Sequence, residues 1–173
     1  MNNTNHANRG KSLETLIEYA NAQYKAKGLA LIQKVPTPWT VQRVGKRIVS
    51  AFPAEKSTVD FIGLSNGVPI AFDAKQCHNK TSFPLSNIED HQLKFLHGWK
   101  LSGGISFLLI EMTALRKIYR VEHDQIISYC NASAAGGRKS IPIKDFGKFE
   151  EVRESNGIVL DYLNLGGKTN GNR

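Results

Sequence analysis

The stretch STVDFIGLSNGVPIAFDAK, residues 57–75, decides how this chain folds. Two apolar runs flank Asn66 and Gly67, and Asn-Gly is the strongest short-range signal for a two-residue β-hairpin loop. With these two residues in the loop, each residue of one strand has a defined partner on the other, and Asp60 faces Asp73. The sequence therefore predicts a hairpin that carries two opposed carboxylates.

Strand side chains alternate between two faces, so the same pairing assigns each residue of the hairpin to a face. Thr58 lies opposite Lys75, and both share a face with the two carboxylates. The other face carries apolar side chains and is expected to be the core face: Val59, Phe61, Phe72 and Ala74.

Two opposed carboxylates repel each other unless a positive charge lies between them. A divalent cation meets this need, and carboxylate oxygens suit Mg²⁺, with Mn²⁺ as a substitute. Lys75, on the same face, can reach a phosphate or an attacking water. Asp60, Asp73 and Lys75 therefore form a constellation for metal-assisted phosphodiester hydrolysis. The alternative interpretation is a solvated hairpin face with scattered charges, since Asp and Lys two residues apart are common on strands.

Length and composition suit one compact α/β domain, since the chain has 173 residues and is 40% apolar. No apolar run approaches the ~20 residues of a membrane span, and the polar N-terminus has no signal-peptide core. We therefore expect an intracellular, cytoplasmic protein with no membrane partner. Cys77 and Cys130 make no CxxC motif, and free thiols are expected.

The net charge of +8 is concentrated in one segment. Residues 34–56 hold five basic residues against one acidic residue, Glu55, and so carry half of that charge. The segment contains a Pro-Thr-Pro break and then alternates like an exposed ribbon rather than a core strand. Because basic domains of this size often bind nucleic acid, we expect phosphate contacts from its cations. These are Lys34, Arg43, Lys46, Arg47 and Lys56.

Periodicity along the chain predicts helices and strands that alternate on a mixed sheet. Ser86 and Glu89 have the spacing of a capping box at the start of the second helix. Helices are expected over 9–27, 86–101 and 122–130. Strands are expected over 29–35, 105–111 and 114–121, beside the hairpin. Loops are expected over 80–85 and 134–143, and the segment 146–165 is ambiguous, with a strand over 158–163 as one interpretation.

Several blocks of sequence lie outside this pattern: NRGKSLE at 8–14, KVPTP at 34–38, KTSFPL at 80–85, DHQ at 90–92 and GRKSI at 137–141. Together with Asp60 and the Asp73-x-Lys75 motif, these blocks resemble the RecU family of Holliday junction resolvases, within the PD-(D/E)XK nuclease superfamily. The blocks follow the family order over roughly residues 8 to 146.

The resemblance implies a restriction-endonuclease-like fold, with a mixed sheet flanked by helices and a projecting basic stalk at 36–56. It implies a homodimeric, magnesium-dependent crossover junction endodeoxyribonuclease that cuts symmetric strands of four-way DNA junctions in recombination and repair. It also implies a recombinase or branch-migration helicase as a partner and association with the nucleoid. The nuclease domain is expected to span 9–165, between a disordered arm at 1–8 and a disordered tail at 166–173.

Residue roles also follow from the resemblance. The magnesium-binding positions are Thr58, Asp60, Asp73 and Gln92, and Lys75 is the lysine that stabilises the transition state. Glu14 matches an acidic position near the site, although a glutamate in the first turn also favours the helix dipole. Asp73 stands where the family usually has Glu, and both arm and stalk are shorter than in typical members.

Four further cations are candidate DNA contacts. Arg138 and Lys139 are expected to contact phosphates, or else to lie in a solvated loop. Arg9 and Lys11 bind DNA or simply flank the first helix. Two other functions fit the same residues: a different DNA endonuclease of the superfamily, and a non-catalytic protein that binds junctions or modulates a recombinase.

Overall fold

The computed structural model describes residues 12–53 and 58–163 of the chain. The arm at 1–8 and the tail at 166–173 lie outside these residues, as do Arg9, Lys11 and Lys56. Within the described residues there are three α-helices: α1 Leu13–Ala26, α2 Asp90–Leu101 and α3 His123–Ala134. The strands are β1 Ala30–Lys34, β2 Trp39–Val44, β3 Arg47–Pro53, β4 Phe61–Ser65, β5 Val68–Cys77, β6 Ser82–Pro84, β7 Ile105–Met112, β8 Lys117–Glu122, β9 Ser140–Pro142 and β10 Glu150–Val152.

A central sheet of six strands in the order β1-β4-β5-β7-β8-β10 organises the fold. The β5–β7 pair is parallel, and the other neighbours are antiparallel. α2 lies in the crossover between the two parallel strands, as such a connection requires. The mixed sheet flanked by helices is the architecture that the sequence predicted.

The β4–β5 hairpin has the predicted register, in which Phe61 pairs with Phe72 and Ser65 with Val68. Asn66 and Gly67 both have positive φ, 50° and 79°, as the favoured two-residue hairpin turns require. Asp60 lies immediately before the first paired residue of β4 and Asp73 immediately after the matching residue of β5. The predicted pairing of the two carboxylates therefore falls at the open end of the hairpin.

Both faces of the central sheet are buried, whereas the sequence analysis expected a single core face. Under α1, the rings of Phe61, Phe72 and Phe107 stack with centroids 5.0 and 4.8 Å apart. On the other face, side chains of β5 and β7 such as Ala71 and Leu108 pack beneath α2 and α3. The face of β5 that carries Asp73 is therefore partly buried rather than fully exposed to solvent.

Val59 packs on the opposite face from the one expected. It belongs to the core beneath α2 and α3, while Phe61 belongs to the core beneath α1. Strand alternation would place both residues on one face, but β4 begins only at Phe61. The chain before this point is not a strand, so the alternation does not extend to Val59.

Three further expectations are corrected. The second helix begins at Asp90, and its capping box is formed by Glu89 and Gln92 rather than by Ser86 and Glu89. The expected loops at 80–85 and 134–143 contribute β6 and β9, which pair with each other. No strand forms over 158–163, and β10 adds the sixth strand of the sheet instead.

The C-terminal segment covers α1 through buried polar contacts. The Tyr24 hydroxyl donates to Asp161 Oδ1 at 2.7 Å, and the Tyr162 hydroxyl bonds to Asn21. Arg120 lies buried over the Phe107 ring, 4.1 Å from its centroid. The two tyrosine contacts join residues more than a hundred positions apart, which explains why local patterns missed them.

Two simpler expectations were tested as well. Cys77 and Cys130 are free thiols, as predicted. No helix in the described part of the chain is long and apolar enough to cross a membrane.

Candidate active site

Asp60 and Asp73 converge at the open end of the β4–β5 hairpin. Asp60 Oδ2 accepts a hydrogen bond from the backbone N–H of Ala74 at 2.9 Å, which ties the segment before β4 to the adjacent strand. Asp73 is completely buried within β5. The hairpin register therefore places one partly exposed carboxylate beside one buried carboxylate.

Asp73 carries its charge in an unfavourable environment. Burial, followed by the charge of Asp60, raises its pKa from 3.8 to about 6, and the nearby Lys75 ammonium counteracts this increase. Asp73 Oδ1 accepts a hydrogen bond from Gln92 Nε2 at 2.8 Å. Asp73 Oδ2 forms an ion pair with Lys75 Nζ at 2.8 Å, but accepts no hydrogen bond from the described residues.

Gln92 connects β5 to the first turn of α2. Its Oε1 accepts hydrogen bonds from Lys75 Nζ at 2.9 Å and from the backbone N–H of Glu89 at 3.2 Å. In return, the Glu89 side chain accepts from the backbone N–H of Gln92, which completes the capping box. One amide side chain therefore contacts Asp73, Lys75 and the helix cap together.

The donor set at this site fits a hard divalent cation. No three His, Cys, Asp or Glu side chains among the described residues form a cluster that could hold a metal by themselves. Asp60 and Asp73 supply two carboxylates. The Gln92 amide donates to Asp73 Oδ1, and the exposed Thr58 precedes Asp60 by two residues. A cation there would neutralise the repulsion that raises the pKa of Asp73.

Glu14 lies on the α1 side of β5 and pairs with a different lysine from Asp73. Its carboxylate forms an ion pair with Lys34 Nζ at 2.5 Å, and Glu18 lies 3.6 Å from the same ammonium. Hydrogen bonding to Glu14 raises the pKa of Lys34. Glu14 also lines a small cavity with Ala74, a residue of β5 that faces α1 rather than α2. Glu14 and Lys34 therefore pair with each other. Among the described residues, neither forms a hydrogen bond or ion pair with Lys75.

The expected stalk is an exposed two-stranded ribbon. β2 and β3 pair only with each other, and every side chain of β2 is exposed. Arg43 lies in β2, Arg47 begins β3, and Lys46 lies in the turn between them. Lys34 ends β1 in the central sheet, so it does not belong to the ribbon.

Arg138 and Lys139 are exposed and immediately precede β9. Lys139 O accepts a hydrogen bond from Leu85 N at 3.1 Å, so this segment lies beside the 80–85 block. Two blocks that were distant in sequence therefore form one surface.

The chain also matches known proteins over most of its length. The family model for RecU, described as Recombination protein U, matches residues 8–167. This chain belongs to the RecU family. The membership confirms the resemblance seen in the sequence.

Curated RecU relatives align over nearly the whole chain. A protein named Holliday junction resolvase RecU from Geobacillus kaustophilus is 37% identical over 91% of this chain and 79% of its own length. A protein of the same name from Pediococcus pentosaceus is 36% identical over 91% of this chain and 78% of its own length. A solved structure of Archaeoglobus fulgidus Hjc, a Holliday junction resolvase, aligns with a TM-score of 0.43 at 11% identity, covering 78% of this chain and 94% of that one.

Glu89 is the site-associated residue of this RecU protein that the sequence analysis missed. Its signal was present, because a glutamate three residues before Gln92 has capping-box spacing. The competing Ser86–Glu89 spacing concealed it. Glu89 contacts Gln92, and Gln92 in turn contacts Asp73 and Lys75.

Proposed function

We propose that this protein is a Holliday junction resolvase, an endonuclease that hydrolyses phosphodiester bonds in four-way DNA junctions during recombination and repair. The curated members of its family carry that name. The observation that carries the proposal is the convergence of Asp60, Asp73 and Lys75 at the open end of one hairpin. In this setting it acts in the cytoplasm, on chromosomal DNA, with a recombinase or branch-migration helicase as a partner.

Asp60 and Asp73 would hold the metal, with Thr58 and Gln92 completing its surroundings directly or through water. A bound Mg²⁺, or Mn²⁺ in its place, supplies Lewis-acid polarisation of the scissile phosphate and lowers the pKa of a bound water. Asp73 supports this role because its buried Oδ2 has Lys75 Nζ at 2.8 Å as its polar partner among the described residues, and a carboxylate oxygen can accept a second contact.

Lys75 stabilises the negative charge that develops on the phosphate during hydrolysis. Its ammonium is held in place by Asp73 at 2.8 Å and by Gln92 Oε1 at 2.9 Å. Because only 17% of the Lys75 side chain is exposed, water screens its charge weakly. Asp60 is more accessible than Asp73 and so faces the substrate side of the pair.

The β2–β3 ribbon reads the shape of the junction. Arg43, Lys46 and Arg47 project on a two-stranded element that no other described strand covers. Contacts to phosphates carry no base information, so this element favours a branched DNA geometry rather than a sequence.

Symmetric cleavage requires two active sites, and a C2 homodimer supplies them. An uncovered apolar surface supports this proposal. Leu31 and Leu64 pair across β1 and β4 at the edge of the central sheet, with 59% and 50% of their surface exposed. A second copy that packs there would cover an edge strand and remove apolar surface from water.

The experiment is cleavage of a strand-labelled mobile four-way junction by the purified protein, with and without Mg²⁺, beside a linear duplex. Paired symmetric nicks on the junction alone, only with Mg²⁺, are expected. Equal cleavage of both substrates would indicate a general nuclease, and tight junction binding without cleavage would indicate an architectural protein. Either outcome would overturn the proposed function.

A further inference from the structure

We propose that the β6–β9 strand pair carries a second phosphate-binding surface that holds a duplex arm of the junction. Its cations are Lys80, Arg138, Lys139 and Lys144, which we call the basic ridge. The proposal rests on the proposed function, because it takes a four-way DNA junction as the substrate. It adds Lys80 and Lys144 to the DNA contacts expected from the sequence and gives all four cations one location.

Strand pairing brings these cations together from two distant segments. The ladder pairs are Ser82 with Pro142, Phe83 with Ile141, and Pro84 with Ser140. Backbone hydrogen bonds extend the ladder at both ends, from Leu85 N to Lys139 O at 3.1 Å and from Ile143 N to Thr81 O at 2.9 Å. The register therefore brings Lys80 and Lys144 to one end of the pair, and Arg138 and Lys139 to the other.

The four cations of the basic ridge are exposed and lack acidic partners. Among the described residues, no ion pair involves any of them. The neighbouring Asp145 is already engaged by Lys148 Nζ at 2.8 Å and by the Tyr129 hydroxyl at 3.0 Å. Arg138 Nε donates to the neutral Ser140 hydroxyl at 3.0 Å, which leaves its charge uncompensated. Like charges held close together repel, so this surface favours a polyanionic ligand.

The basic ridge lies at the active-site end of the central sheet. Cys77 is two residues beyond Lys75 on the same face of β5, and its Sγ contacts Ser82 O at 3.5 Å. The ribbon leaves the sheet at this end too, where Val35 N donates to Asp60 O at 2.8 Å. Ridge, catalytic residues and ribbon can therefore engage one DNA molecule.

The length of the ridge suits a duplex arm. Leu85, the residue that faces Lys139, lies five positions after Lys80. Five positions of extended chain span about 16 Å at roughly 3.3 Å per residue. This equals the rise of about five nucleotides along one strand of B-DNA. Because phosphate contacts are independent of sequence, the basic ridge would hold the arm in any base context.

The test measures junction binding in EDTA, where no metal is present, at several salt concentrations. The Lys80→Ala/Lys144→Ala variant is expected to reduce the slope of log K against log salt by about 1.8, since each phosphate contact contributes about 0.9. Affinity at low salt is expected to fall about tenfold. Arg138→Ala/Lys139→Ala should act in the same direction, and Lys80→Arg/Lys144→Arg should restore the wild-type slope.

The matched control is Lys25→Ala/Lys27→Ala. It removes the same charge near the start of β1, where Ala30 pairs with Ser65 at the hairpin-loop end of the sheet, away from the active site. Its salt slope is expected to equal that of the wild type. An unchanged salt slope in both ridge variants, or an equal reduction of the slope in the control, would overturn the proposal that the basic ridge binds phosphates. The proposed resolvase function would still stand if the wild type cleaves junctions. A wild type that neither binds nor cleaves junctions would overturn the proposed function itself.

Discussion

At the residue scale, the charged form of Asp73 is destabilised by the surroundings that the proposed function requires. A buried carboxylate beside a second carboxylate destabilises the folded protein in the absence of a cation. The pKa of Asp73 is raised to about 6 because burial and the charge of Asp60 both disfavour the ionised carboxylate. Gln92 and Lys75 offset part of this destabilisation through contacts at 2.8 Å each. The same arrangement leaves the pair ready for a divalent cation.

Asp60→Asn should abolish cleavage without weakening junction binding. We expect a loss of about 10³-fold or more, since a cation interaction worth several kcal/mol corresponds to tenfold per 1.4 kcal/mol. The asparagine oxygen can still accept the Ala74 N–H, and the repulsion on Asp73 disappears. In EDTA the variant should therefore unfold at a higher temperature than the wild type, by about 2–4 °C for each kcal/mol added to the free energy of unfolding.

The measurements are junction cleavage, junction binding in EDTA and thermal unfolding in EDTA. Asp124→Asn serves as a control, because Asp124 is exposed and pairs with Lys100 away from the site. Retained magnesium-dependent cleavage in a clean Asp60→Asn preparation would contradict the assignment of Asp60.

At the element scale, α2 and α3 begin with the same capping motif. Both α2 and α3 have a glutamate N-cap and a glutamine at the third position, with both capping-box hydrogen bonds formed. In α2 the glutamine is Gln92, which also contacts Asp73 and Lys75. The N-terminus of α2 therefore belongs to the proposed active site, whereas the cap of α3 has no hydrogen bond or ion pair with Asp73 or Lys75 among the described residues.

Glu89→Ala should lower both stability and the cleavage rate. Loss of a helix cap costs about 1 kcal/mol, and a loosely held Gln92 should reduce kcat by about tenfold with little change in KM. Glu122→Ala is the control, because it removes the equivalent cap from α3, together with the ion pair between Glu122 and the buried Arg120. Thermal unfolding and single-turnover cleavage separate the two effects. Equal loss of kcat in both variants would mean that Glu89 acts only through stability.

The ribbon permits a second test at this scale. Arg43→Ala/Arg47→Ala should reduce the slope of log K against log salt by about 1.8 if both side chains contact phosphates. Junction affinity should fall more than duplex affinity, which binding assays on both DNAs would measure. Glu14 pairs with Lys34, so Lys34→Ala should change the slope less than Arg43→Ala. An unchanged slope in the ribbon variant would refute the role of the stalk.

At the scale of the whole molecule, the uncovered edge of the central sheet sets the expected assembly. β1 is an edge strand, and α2, which packs on the same face of the sheet as Leu31 and Leu64, leaves both of these side chains exposed. An exposed apolar edge is a liability in a monomer.

Leu31→Asp/Leu64→Asp should convert the proposed dimer into a monomer. Each leucine buried at an interface contributes roughly 1.5–3 kcal/mol, so the dissociation constant should rise at least 100-fold. Light scattering coupled to size exclusion would measure the mass. Leu101→Asp is the control, because Leu101 is 76% exposed at the end of α2. A double variant that remains dimeric would locate the interface elsewhere.

The sequence by itself determined the β4–β5 register, the exposed ribbon and the pairing of Asp60 with Asp73. Each depends on local rules: the chemistry of Asn66-Gly67, strand alternation and the charge of one segment. These rules act over a few residues and need no knowledge of the rest of the chain. Glu89 was missed within the same range because two capping-box spacings compete there.

Only the tertiary structure decided what surrounds those elements. It buried both faces of the sheet, paired Glu14 with Lys34, joined β6 to β9 and brought Gln92 onto Asp73, 19 residues away. Tyr24 and Asp161 meet across 137 positions. Such contacts depend on how the finished elements pack, and packing energies depend on shape and burial that no local pattern encodes.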